Sequence, residues 1–359
     1  MKQLQKELTT FLDEISRVYT SNFPFVVFRK PNEELITAYV QNSKEVHYLN
    51  SYNEQGFVFS PFNKVEKKVF FSVENCEIFS SKIPSEFKLN AALSNSNFEN
   101  ISAKNSKEKH IKLIKKGIDF IKSKEAEKIV LSRKEELKFK EFDVINTLKK
   151  MLNNYKNAFV YLWYHPTIGL WMGATPERLI NLSENKFTTM ALAGTQLYKN
   201  TTDVVWKEKE QQEQQFVTDY ILDTINECVE NIEVSNPYTV KAGNLLHIRT
   251  DISGTLKSEN IVEKLINTLH PTPAVCGLPK EIATTFILEN EGYNRAYYSG
   301  YLGELNRNKN TQLFVNLRCM EWHNNTASIY IGGGITMDSI PSSEWKETVS
   351  KAEIMKKVL

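Results

Sequence analysis

In the stretch KIVLSR (residues 128–133), Lys128 precedes Ile129, Val130 and Leu131. Its amine is either an ordinary charge at the mouth of a strand or a base kept in a dry pocket. A lysine that is to take a proton must first give one up, which desolvation or a nearby positive charge favours. Glu213 also stands oddly. Phe216, Val217, Tyr220 and Ile221 follow it at three, four, seven and eight residues, so it continues the apolar stripe of a helix. A carboxylate on such a face needs a partner, because burying it ionised and alone is costly. Glu213 is thus either the frayed, solvated end of the stripe or a metal ligand, with Glu210 three residues earlier as the alternative. Glu344, Glu347 and Lys351 share one face of a C-terminal helix. That face is either solvated, with one Glu-to-Lys pair four apart, or the complement of Glu213.

Other segments offer binding groups. The stretch YIGGGITMDSIPSSEW reads as a strand ending in Gly332, Gly333 and Gly334 before the chain turns into the last helix. Such glycines let backbone N–H groups approach an anion, and a helix N-terminus adds its dipole. Carboxylates beside an anion site suit Mg2+, which takes oxygen ligands and shares them with an acidic substrate. In GATPERLI, Pro176 and Glu177 fall where a strand breaks and resumes; Glu177 is a bulge residue or an acid. Gly194 and Thr195 of ALAGTQ offer an amide and a hydroxyl. Arg318, inside the apparent strand FVNLRCMEW, has a planar fork that suits a carboxylate. His247 in LLHIRT is either a satisfied core histidine or part of a site.

The elements that must position these groups read as a mixed α+β layout with large antiparallel sheets, since strands and helices do not alternate one for one. An amphipathic helix opens the chain, and aromatic-rich strands fill residues 24–80. A polar surface connection follows over 81–105. A helix carrying Ile111, Ile114, Ile118 and Ile121 leads into Lys128, and a second helix follows around FDVINTLKKMLNNY. A β-meander comes next, then a helical pattern from about 208 to 232, further strands, and a last helix from about Ser343.

Composition excludes several partners. With 359 residues, 41% hydrophobic and 25% charged, the chain is globular, and its net charge of +2 points to neither nucleic acid nor an anionic membrane. No apolar run approaches the roughly 20 residues of a membrane span. Cys76, Cys228, Cys276 and Cys319 are far apart, as reduced core thiols would be. A cytoplasmic location and a monomer are the expectations.

In this order, KIVLSR, GATPERL, ALAGT, LHPTPAVCGLP, NRAYYSGYLGE, FVNLRC and GGGITMDSIPSSEWKET resemble the chorismate-utilising enzymes, which include the isochorismate, salicylate, anthranilate and aminodeoxychorismate synthases. The likeness covers roughly residues 105–359; residues 1–104 share only their β-rich character. It implies one domain over residues 1–359, of two large antiparallel sheets packed together with helices outside, and a site for chorismate and Mg2+ between them.

By position, the resemblance implies that Glu213 and Glu344 hold the metal with Glu347 close by. Gly194 and Thr195 meet the ring carboxylate, with His247 near it. Tyr298, Arg318, Gly332 and Lys351 take the carboxylate of the enolpyruvyl side chain. Members that use ammonia have a glutamine at the position of Lys128, whereas water as nucleophile needs a base, and the lysine is that base. Glu177 then protonates the departing hydroxyl.

Ala193 stands where aminodeoxychorismate synthases have a lysine, and HPTPAVCGLP is more like the isochorismate than the salicylate synthases. The expected activity is therefore isochorismate synthase, for menaquinone or siderophore synthesis, with salicylate synthase as the alternative. A non-catalytic chorismate-binding protein should have lost Lys128 or Glu177, and both are present.

Overall fold

The computed structural model describes residues 4–84, 98–102, 104–242 and 245–359. Two large, mostly antiparallel sheets of 11 and nine strands carry the fold, with helices against their outer faces; one strand of each lies off the orders below, Phe98–Asn100 on Lys128–Phe139 in the larger and Tyr238–Ala242 on Leu245–Leu256 in the smaller. The larger sheet runs Leu4–Lys6, Cys76–Lys82, Leu35–Gln41, Phe25–Arg29, Phe159–His165, Gly169–Thr175, Cys319–His323, Thr326–Ile335, Lys128–Phe139 and Gly277–Leu278. The smaller runs Val229–Val234, Leu245–Leu256, Lys186–Leu197, Arg178–Ser183, Asn310–Val315, Tyr301–Arg307, Gly56–Ser60 and Val69–Ser72. The aromatic strands of residues 24–80 thus divide between the two sheets.

Alternation along one strand shows the layering. In Phe25–Arg29, Val26 and Phe28 join an aromatic core with Trp163, Trp171, Phe57, Phe59 and Phe314, drawn from both sheets. Phe25 and Val27 face the opposite way, toward Phe11 and Ile15 of the Leu8–Thr20 helix. Both faces are buried, so the run is apolar throughout instead of alternating.

The Ser106–Lys122 helix forms on its isoleucine stripe, burying Ile114, Ile118 and Ile121 with Ile129 and Leu131. The helical pattern expected to reach 232 stops at Ile225, because Val229–Val234 pairs with Leu245–Leu256 as a strand. The surface connection expected over 81–105 lies largely outside the described residues. All four cysteines are buried and unpaired. No helix among the described residues is long and apolar enough to cross a membrane.

Candidate active site

Two neighbouring strand pairs change sheets at the same level. Gly169–Thr175 of the larger sheet leads through Pro176 and Glu177 into Arg178–Ser183 of the smaller. Asn310–Val315 of the smaller returns through Asn316, Leu317 and Arg318 to Cys319–His323 of the larger. Proline cannot donate to a ladder, so it suits the first crossing. The Val315 N–H donates to Glu177 O (3.0 Å), and the Ala174 N–H donates to Arg318 O (3.0 Å), which fixes the two crossings side by side. Arg318 is therefore not inside one strand, as its apolar neighbours imply, but in the bend between two, with a left-handed φ of 47°. Such a conformation in a non-glycine residue costs of order 1–3 kcal/mol and persists only where its surroundings enforce it.

The crossing also frees a strand edge. On one side of Thr326–Ile335, Cys319–His323 reaches only as far as Tyr330, while on the other Lys128–Phe139 continues as far as Ile335. Ile331–Ile335, with its three glycines, thus has one open edge. The glycines lie within this strand, and the last helix starts only at Pro341, so the expected glycine turn feeding a helix is not what forms. Their role is space. A Cβ on Gly332 would lie 2.7 Å from the Tyr298 hydroxyl, and one on Gly334 would lie 2.6 Å from Glu213 Oε1 and 3.0 Å from Lys128 Cε. A Cβ on Gly333 would lie 3.8 Å from both Glu344 and Glu347.

A cleft of about 70 Å³ opens here, lined by Glu177, Gly194, Thr195, Glu213, His247, Arg318, Gly332, Glu347 and Lys351, among others. A second lobe, also about 70 Å³, shares Val130, Ala274, Leu317, Arg318, Gly332 and Lys351 with it and adds Tyr298. Ligand cavities run to roughly 300 Å³ or more, so the side chains dividing the lobes must shift to admit a ligand of ordinary size. Two larger spaces adjoin. One of about 340 Å³ lies beyond Arg318 and Pro176; the other, a vestibule of about 790 Å³, has Lys209 and Glu213 in its wall.

The charges are sorted by burial. Glu177 is nearly enclosed, accepting from Thr272 Oγ1 at 3.3 Å. Burial pushes its carboxyl up to about 7, against the pull of Thr272, Lys128 and Arg318. His247 donates from Nδ1 to Gly194 O (2.7 Å) and accepts at Nε2 from Arg318 Nη2 (3.2 Å), which assigns the neutral tautomer. Burial, with Arg318 beside it, holds His247 down at about 3, so it stays neutral. It is both a satisfied buried histidine and a wall of the cleft, pinning Arg318 to Gly194.

Lys128 has no exposed surface. Its Nζ is 2.8 Å from Glu213 Oε1, too poorly aligned for a hydrogen bond. Ile129 and Leu131 point to the other face of the sheet, so the dryness comes from packing across the sheets rather than from these neighbours. Its companion is a carboxylate rather than a second cation, and Glu213 and Gly334 stand between the amine and the cleft. Burial pushes Glu213 up, but Lys128, followed by Lys351 and Lys209, brings it below the ordinary carboxylate range.

Glu344 pairs with Lys209 (2.6 Å) and Glu347 with Lys351 (2.6 Å), whose Nζ also donates to Gly332 O at 3.1 Å. Burial raises Glu344; Lys209 pulls it back, Glu347 adds to the rise, and the net stays above the ordinary range.

Each proposed ligand of a cation thus has a lysine partner, while Glu210 keeps a buried Oε2 without any hydrogen-bond partner. Among the described residues no three acidic, histidine or cysteine groups converge into a ready-made metal cage. The all-oxygen donors and the orphaned Glu210 oxygen fit Mg2+, which is commonly held by one or two carboxylates, waters and substrate oxygens.

Three structural contributors escaped the sequence reading. Thr272 touches Glu177, and Lys209 touches Glu344. Arg295, 1% exposed, joins Glu291 and donates to Val130 O (2.7 Å) and Val275 O (2.9 Å), tying together two segments that line the second lobe. Thr272 and Arg295 lie within the motifs above and Lys209 lies four residues before Glu213, but nothing in a residue type reveals which distant carbonyl or carboxylate it will meet.

Residues 57–359 match the family model described as chorismate binding enzyme. The chain is 29% identical over 197 residues to isochorismate synthase EntC of Escherichia coli (strain K12), covering 52% of this chain and 50% of that protein. It is 30% identical over 259 residues to isochorismate synthase MenF of Bacillus subtilis (strain 168), covering 69% and 55%. These alignments span about half the length of the curated relatives. The solved structure of MenF, the menaquinone-specific isochorismate synthase from Escherichia coli, superposes with a TM-score of 0.78 at 19% identity, over 94% of this chain and 89% of that one.

Proposed function

The chain belongs to the chorismate-binding enzyme family, and from that premise we propose that it is an isochorismate synthase, which interconverts chorismate and isochorismate. The observation that carries the reading is Glu177, a buried carboxyl at the cleft brought up to about 7, together with the buried amine of Lys128, which lies behind Glu213 and Gly334 and is near enough to pull on that carboxyl. An acid and a base of this kind suit the exchange of one hydroxyl for another. Lys128 Nζ takes a proton from water as its oxygen bonds to the ring carbon beside the one bearing the carboxylate. The ring double bonds shift, and the 4-hydroxyl departs as water with the proton of Glu177. Run backwards, the same groups exchange roles, so the reaction is reversible.

The remaining residues bind and orient. Arg318, held by His247, and Lys351, at the open strand edge, are the cations for the side-chain carboxylate, with the Tyr298 hydroxyl beside Gly332. Gly194 and Thr195 face the ring carboxylate. Glu213 and Glu344, with Glu347 nearby, would hold Mg2+, which when bound neutralises the ring carboxylate and draws electrons toward it. Lys128 acts as a base only after Glu213 has turned from it, because the carboxylate otherwise occupies the amine and walls it off from the cleft. Relatives named isochorismate synthase support this reading.

The test is product identity. Purified protein with Mg2+ and chorismate at neutral pH should give a mixture of chorismate and isochorismate, approached from either side. Salicylate and pyruvate accumulating in step with the chorismate consumed would overturn the assignment in favour of salicylate synthase, leaving the acid and base roles standing.

A further inference from the structure

Lys209 lies one helical turn before Glu213 on the Glu208–Ile225 helix. Its ammonium is 2.6 Å from Glu344 Oε1 and 3.3 Å from Ser339 Oγ, so it bridges the two helices that carry the proposed cation ligands. The two partners differ in freedom: the Glu344 side chain is 4% exposed and that of Lys209 34%. Lys209 also lines the vestibule of about 790 Å³, which gives its side chain somewhere to go. The other two lysines lack that freedom. Lys128 is enclosed, and Lys351 is 13% exposed and tied to Gly332 O.

A carboxylate oxygen in contact with an ammonium cannot also take a hard dication at about 2.0–2.1 Å without setting two like charges against each other. Resting on the reading of Glu213 and Glu344 as cation ligands, we propose that Lys209 is a displaceable internal cation. It holds Glu344 while no divalent ion is bound and swings into the vestibule when one binds. Metal and lysine compete for one carboxylate, and the lysine sets the metal concentration the protein needs.

Binding can be read without turnover, by electron paramagnetic resonance of free Mn2+ and by calorimetry with Mg2+. Lys209→Met keeps the apolar stem, and its Mn2+ and Mg2+ dissociation constants should fall at least about tenfold below wild type. Removing any nearby cation favours a metal, so displacement itself is read in the wild type. Labelling of Lys209 by an amine-reactive reagent, followed by mass spectrometry, should rise when Mg2+ saturates. Unchanged or weaker binding by a folded Lys209→Met protein, or labelling that does not rise, would overturn the proposal. If that variant does not fold, Lys209→Gln and the wild-type labelling decide. Mn2+ binding that survives Glu213→Gln intact would overturn the ligand reading and this proposal with it. Binding lost in Glu213→Gln yet indifferent to Lys209→Met would overturn this proposal alone.

Discussion

Replacing Glu177 with glutamine keeps its shape and removes its titration, and the consequences reach both stability and rate. In the folded protein burial raises the carboxyl from 4.5 to about 7. Between those values the folded state holds a proton that the unfolded chain has lost. The stability this proton contributes is complete below about 4.5 and is lost as pH rises through about 7. At 1.36 kcal/mol for each pH unit separating the two values, the whole effect is roughly 3 kcal/mol, of which roughly 2.5 kcal/mol falls between pH 5 and 8. Glu177 is only 4% exposed, so solvent screens little of it. Denaturant unfolding followed by the fluorescence of buried Trp163 and Trp171 measures this directly. Relative to Glu177→Gln, the wild type should lose roughly 2.5 kcal/mol between pH 5 and 8. In the wild type kcat/KM should fall above about pH 7 as the acid ionises. The variant should lack that limb at a rate lower by on the order of 10²–10⁴. Stability curves that run parallel over this range would mean that Glu177 is not the buried protonated acid the mechanism requires.

Other outcomes follow from the same geometry. Gly334→Ala drives a Cβ into the Lys128–Glu213 pair and should cost about 1–3 kcal/mol of stability and most of the activity, whereas Gly333→Ala, with 3.8 Å of clearance, should be mild. Equal effects in melting and rate measurements would contradict the space argument. Glu213→Gln leaves Lys128 buried beside a neutral amide and should destabilise the metal-free protein by about 3–5 kcal/mol. Glu344→Gln, whose partner Lys209 can turn to solvent, should cost less, and both should abolish the rise in Tm that Mg2+ with chorismate produces. Lys128→Gln should form no isochorismate while still gaining Tm from Mg2+ and chorismate; product formation at the wild-type rate would remove its role as base.

Residue type and spacing determined much of this protein. Aromatic strands and isoleucine-striped helices were legible because burial on one face leaves a period in the chain, and Glu213 was conspicuous because it interrupts such a period. The ordered motifs carried the family. What they left undecided is where two strands change sheets together. Arg318 reads as mid-strand because its neighbours are apolar, yet those neighbours face a core built from both sheets, and the bend is enforced by Glu177 and Ala174 across a gap of more than a hundred residues in the chain. The triple glycine reads as a turn, and only the packing of Tyr298, Glu213 and Glu344 around the strand shows that it supplies room. Likewise Lys128 is dry because a helix from the opposite sheet lays Glu213 over it, not because isoleucine and leucine follow it in the chain. Periodicity is a local property and survives in the sequence. The partners of a buried charge are set by contacts between distant segments, and these exist only once the sheets have closed on each other.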